Sequence, residues 1–133
     1  MSILLRVKCS CGHVSNSAPG AVCPKCNKPL NIPADALLTI YRKGSPIGIA
    51  GGFGIYINGE PMGHIGNRET VKIPLNYGSY NLHIASGMNR RCNDLVFNFT
   101  PENRFGYAKI WMKMGFWTNS FVIEPATAQE MPE

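Results

Sequence analysis

Four cysteines in two close pairs, Cys9-Ser10-Cys11-Gly12 and Cys23-Pro24-Lys25-Cys26, constrain this chain more than any other feature. Two thiol pairs at this separation can wrap one tetrahedral ion, and Zn²⁺ is the usual occupant of such a site. The surrounding segment, residues 1–33, holds few large apolar side chains and is too short to build a hydrophobic core. A structural ion, binding with roughly 10–16 kcal/mol, takes the place of that core. Protein ligands fill all four positions, so the site is expected to be structural, with no open position for catalysis. Iron in a tetrahedral sulfur site is chemically allowed, and zinc is the expectation.

Each knuckle needs a tight turn whose backbone N–H groups point at sulfur. Gly12 after Cys11 and Asn27 after Cys26 both tolerate the positive φ that such turns require. Lys8, Lys25 and Lys28 flank a centre whose own charge is −2 with four thiolates and one dication, and are expected to neutralise it. His13 is expected at the ribbon surface, not among the ligands. The pattern Val7-Lys8-Cys9-Ser10-Cys11-Gly12, Cys23-Pro24-Lys25-Cys26, Leu30-Asn31-Ile32-Pro33 resembles a bacterial zinc-ribbon family. In that family a Cys-x-Cys-Gly and a Cys-Pro-x-Cys-Gly precede a short Leu-x-Ile/Val-Pro strand. Asn27 stands where the pattern has its second glycine.

The formal charge of +5 over 133 residues suggests an anionic partner, but its distribution argues otherwise. Residues 1–33 carry Arg6, Lys8, Lys25 and Lys28 with no acid, whereas the remainder is close to neutral. Useful affinity for nucleic acid needs several phosphate contacts, and these cations are scattered. An odd cysteine count and two thiols only two residues apart disfavour a disulfide scaffold. A reducing compartment with one Cys₄ site and a spare Cys92 fits better. With no apolar run of ~20 residues and no secretory leader at Met1–Arg6, the chain is expected to be cytoplasmic, away from membranes.

After Pro33 the pattern changes to short apolar runs separated by turn residues. Runs at Leu37–Arg42, Gly54–Ile57, Val71–Leu75, Ser79–Ala85, Leu95–Phe99, Phe105–Met112 and Phe116–Ile123 read as strands, with Asn58-Gly59 as a hairpin turn. The expected fold class is mainly β: a small N-terminal zinc ribbon, then an antiparallel β-sandwich of about seven strands over 37–124. The tail, 125–133, is small, acidic and expected to be disordered. Ile55-Tyr56-Ile57-Asn58-Gly59-Glu60-Pro61-Met62-Gly63 and Ile73–Ile84 resemble the PEGA-like β-sandwich domains. That resemblance implies a non-catalytic binding module.

No local signature supports an enzyme. The glycine-rich stretch Gly48–Gly54 lacks the spacing and the Gly-Lys-Ser/Thr of a phosphate loop and reads as a bulged strand entry. His64, His83 and Cys92 read as surface or packed side chains without a nucleophile–base pair. Tyr107, Lys109, Trp111 and Lys113 alternate along one strand face, with Trp117 nearby, and Arg90-Arg91 sits at a hairpin tip. Arg90, Arg91, Lys109 and Trp111 are therefore the candidate interaction surface. The sequence points to a non-enzymatic zinc-binding adaptor whose partner is another protein. The alternative is a nucleic-acid-binding ribbon protein using Arg6, Lys8, Lys25 and Lys28 with the Lys109/Trp111 face.

Overall fold

The computed structural model describes residues 4–18, 20–30, 32–43, 53–85, 91–92, 94–114 and 119–130. Its strands are β1 (Leu5–Lys8), β2 (Val14–Ser17), β3 (Ala36–Arg42), β4 (Phe53–Ile57), β5 (Glu60–Ile65) and β6 (Thr70–Leu75). They continue with β7 (Gly78–Ala85), β8 (Arg91–Cys92), β9 (Leu95–Phe99), β10 (Phe105–Met114) and β11 (Asn119–Pro125). Among the described residues there is no α-helix, so the chain is mainly β as its pattern predicts.

Strands β1 and β2 form the hairpin of the N-terminal module. The others make a five-stranded sheet, β6-β3-β10-β11-β8, and a four-stranded sheet, β5-β4-β7-β9. Alternation along each strand sends one set of side chains inward. Leu38 and Ile40 of β3, Ile73 of β6 and Ile110 of β10 meet Ile55 of β4, Ile65 of β5 and Leu82 and Ile84 of β7 in one fully buried cluster. Both sheets share this core, which is what makes the pair a sandwich. Most neighbours are antiparallel, but β3 runs parallel to β10 and β8 parallel to β11. Alternation alone cannot read strand direction, because a parallel neighbour buries the same face.

Four strands, β1, β2, β5 and β8, have no run of their own in the sequence pattern. β8 has only two residues. β5 contains Pro61 and Gly63, which interrupt a strand reading, yet it lies at the edge of its sheet where proline is tolerated. Pairing of β4 with β5 shifts register between Gly54 and Tyr56, and Gly63 has φ +79°. Across the turn 66–69, Gly66 N–H donates to Glu69 Oε1 at 2.7 Å and Glu69 N–H to Gly66 O at 3.1 Å. That turn carries the chain from one sheet edge, β5, to the other, β6. The N-terminal hairpin packs against both edges there.

The handover at Pro33–Asp35 is fastened down. Arg104 donates to Asp35 O at 2.8 Å and to Ala34 O at 3.3 Å, and Leu37 N–H donates to Arg104 O at 2.9 Å. Within the tail expected to be disordered, Pro125 ends β11, Ala126 N–H donates to Tyr107 O at 2.9 Å, and Ala128–Glu130 forms a 3₁₀ turn. Phe116–Thr118 and most of the Gly48–Gly54 stretch lie outside the described residues.

Candidate metal centre

The first knuckle follows directly from β1. Cys9 N–H donates to His13 O at 2.8 Å and Gly12 N–H to Cys9 O at 2.8 Å, closing a turn in which Gly12 has φ +93°. In the second, Asn27 N–H donates to Cys23 O at 2.8 Å, Cys23 N–H to Lys28 O at 2.9 Å, and Asn27 has φ +61°. Asparagine is the residue other than glycine that enters this region most readily, which explains how Asn27 serves in a glycine's place. Lys25 N–H points at Cys23 Sγ from 3.4 Å. A Val22–Pro29 bridge closes the loop, and Leu30 N–H donates to Ala21 O at 3.3 Å. Leu30 and Ile32 of the family-like Leu-x-Ile-Pro run lie in no strand.

The two knuckles bring the sulfurs of Cys9, Cys11, Cys23 and Cys26 within 4.8 Å of one another. Cys9 Sγ lies 3.5 Å from Cys26 Sγ, and Cys11 Sγ 3.8 Å from Cys23 Sγ. A tetrahedral site with metal–sulfur bonds of about 2.3 Å has sulfurs about 3.8 Å apart, close to these two separations. Four cysteines thus form a site able to hold a metal ion. Cys9 and Cys23 are buried and Cys11 is exposed, so one side of the centre faces solvent. Two of the thiols differ in acidity. The Cys11 backbone N–H favours the Cys9 thiolate and brings its pKa to about 6. Lys28 N–H favours the Cys26 thiolate too, but proximity to the Cys9 sulfur, burial and the remaining thiols outweigh it and push Cys26 up to about 11.

The cations of this module go elsewhere than expected. Arg6, on β1, is only 6% exposed. Its Nη1 donates to Met62 O and His64 O of β5, both at 2.9 Å, and its Nε to Asn16 Oδ1 at 2.6 Å. Glu69 Oε2 stands 3.9 Å from Nη2. Burial pulls the Arg6 guanidinium below its ordinary pKa, and Glu69 opposes that. The guanidinium therefore caps carbonyls of an edge strand that would otherwise seek a partner. Gly63 makes room for it: a Cβ there would lie 2.7 Å from Arg6 Nη1. Lys8, expected to neutralise the thiolates, instead reaches Glu60 Oε2 of β5 at 3.0 Å. Lys25 is exposed in the second knuckle, and Lys28 is exposed beside it. His13 is outside the sulfur group and contributes only its backbone carbonyl. No signal in the sequence separates Arg6 from its basic neighbours, since Lys8, two residues on, shares its side of β1.

Of the candidate interaction residues, Lys109 and Trp111 share the outer face of β10 with Tyr107, while Ala108 and Ile110 point inward. Lys109 Nζ is 3.6 Å from Glu124 Oε1, and Lys43 Nζ lies 4.7 Å from the Trp111 ring centre. Arg90 and Trp117 lie outside the described residues; Arg91 is described only as a backbone position paired with Ser120. Nothing brings Arg91 to Lys109 or Trp111 among the described residues. Compared with protein-family models, with curated proteins and with solved structures, the chain matches none. No helix among the described residues is long and apolar enough to cross a membrane.

Proposed function

We propose that this is a non-enzymatic adaptor in which a structural Zn²⁺ staples a ribbon across one open side of a β-sandwich that binds another protein. The observation that carries it is the fate of Arg6. The ribbon's inward face is consumed in capping the edge of β5, and its four thiols leave no ligand position for a substrate. A module used in this way is a fixture of the fold, and partner recognition falls to the sandwich. Reduced thiol ligands suit a reducing compartment, in keeping with a cytoplasmic, bacterial origin.

The nucleic-acid alternative draws on Arg6, Lys8, Lys25 and Lys28. Arg6 is buried and so is withdrawn from that set, and Lys8 already faces Glu60 at the surface. Lys109 is likewise beside Glu124. Too few cations remain together for strong counterion release. Two measurements test the reading. Protein purified without chelator should carry one equivalent of zinc and little iron. An affinity pull-down should then recover the same protein partners with the intact chain and with Cys23→Ser/Cys26→Ser, because the sandwich holds the binding surface. Steeply salt-dependent binding to single- or double-stranded probes, with no protein partner, would overturn it in favour of nucleic acid.

A further inference from the structure

The outer face of the four-stranded sheet holds a built pocket that neither the ribbon nor the core accounts for. Antiparallel pairing sets Tyr56 of β4 opposite His83 of β7, and Gly54 opposite Ala85. Pairing of Leu82 with Leu95 brings Asp94 alongside His83. One lateral row therefore reads Tyr56, His83, Asp94. His83 Nδ1 is 2.6 Å from Asp94 Oδ1, and Asn81 Nδ2 donates to Asp94 Oδ2 at 3.0 Å. The carboxylate is thus aimed by two neighbours, and the imidazole commits Nδ1 and leaves Nε2 for a ligand.

Tyr56 leans back along its own strand. Its Cε2 would lie 3.2 Å from a Cβ placed on Gly54, and its hydroxyl 3.6 Å. Glycine inside a strand costs about 0.5–1 kcal/mol against alanine, and an exposed hydrogen-bonded pair such as His83–Asp94 returns little. What the glycine and the small Ala85 do provide is space for an aromatic ring beside a polar rim. The ring and the imidazole are 5.9 Å apart, inclined at 56°. Together with Asn81, Ala85 and Gly59 they line a cavity of about 310 Å³. That is at the small end of ligand sites, which span roughly 300–1,000 Å³.

We propose that this pocket binds a single saccharide unit. Anions meet the Asp94 carboxylate. A bare metal ion would have to displace hydrogen bonds on both of its oxygens. Sugar hydroxyls can donate both to a carboxylate and to the bare Nε2 of an imidazole whose Nδ1–H faces Asp94, and the C–H face of the ring suits the Tyr56 surface.

The test uses the full-length, zinc-loaded chain and follows His83 and Tyr56 ring resonances by NMR. Probes are free glucose, galactose, mannose and N-acetylglucosamine, and soluble polysaccharides of the same sugars. Saturable shifts at His83 and Tyr56 are expected, with millimolar dissociation constants for the free sugars. Tyr56→Ala and Asp94→Asn should each weaken binding at least ~10-fold, and Gly54→Ala should weaken it by displacing the ring while the His83–Asp94 pair remains. Response to free sugars marks a site that reads one ring, and response to polysaccharide alone one that reads it within a chain; either sustains the proposal. No shift at these rings with any probe up to ~0.1 M, or binding undiminished in Tyr56→Ala and Asp94→Asn, overturns it.

Discussion

The ribbon and the sandwich are held together by opposite means. Among the ribbon's described apolar side chains only Val7 and two of its own thiols, Cys9 and Cys23, are buried, so its shape depends on the sulfur cluster. The sandwich buries leucine and isoleucine from both sheets, with Phe53 and Phe99 from one, and has no comparable ligand group among its described residues. Between them lies a polar joint, Arg6 and Lys8 against β5. Chemistry fixes one half, packing the other, and the joint decides whether they behave as one unit or two.

Removing the metal should break this comparison most severely. Cys23→Ser/Cys26→Ser forfeits ~10–16 kcal/mol of ion binding, more than a segment without a core can replace. The expected result is loss of zinc and rapid hydrogen exchange in β1 and β2, with amides at Ile40, Ile84 and Ile110 still protected. Acidification should have the same selectivity, because protons compete with the ion for thiolates, so metal occupancy falls as pH falls. If the core amides lose protection together with the ribbon, the two halves are one cooperative unit and the contrast fails.

The reciprocal change is Ile84→Ala, at the centre of the core. Deleting a fully buried isoleucine side chain should cost about 2–5 kcal/mol in the chemical-denaturation transition of the sandwich. Zinc stoichiometry should remain unchanged. A fall in metal content at denaturant concentrations below the transition would mean that the ribbon needs the core as well as its ion.

The joint itself is tested by Arg6→Met and Gly63→Ala. The first leaves Met62 O and His64 O without their donor and should cost roughly 3 kcal/mol. The second sets a Cβ against Arg6 Nη1 at a residue with φ +79°, and roughly 2 kcal/mol is expected. Both should loosen the ribbon from β5 without lowering the metal content, visible as faster exchange at β5 amides. An unaltered β5 in Arg6→Met would remove the edge-capping role assigned to this residue.

This division also explains what could be read before the structure. Thiol spacing carries its own geometry, so Cys9, Cys11, Cys23 and Cys26 were legible as a cluster. Alternating apolar residues located β3, β7, β9 and β10 within a few residues, because burial of one face writes a period of two. β5 was legible only as the strand that the Asn58-Gly59 turn calls for, and its own pattern is broken for a physical reason. Pro61 and Gly63 are tolerated only at an edge, and Gly63 is explained by a guanidinium from a strand more than fifty residues earlier. The pairing of His83 with Asp94 was hidden likewise: it depends on the register of β7 with β9, which no local pattern encodes.

The smallest expected effect concerns the second contact across the joint. Lys8 Nζ and Glu60 Oε2 are 3.0 Å apart, with side chains 28% and 72% exposed. Water and salt screen such a pair, and ordering two long side chains offsets most of the attraction. Lys8→Met should therefore cost less than about 1 kcal/mol, and the cost should vanish in molar salt. A double-mutant cycle with Glu60→Gln isolates the coupling from the loss of charge near the thiolates. Coupling close to that of Arg6 would place Lys8 in the clamp on equal terms. Weak coupling, together with a lower zinc affinity in Lys8→Met alone, would show that this lysine serves the metal centre through its field while its ammonium rests on β5.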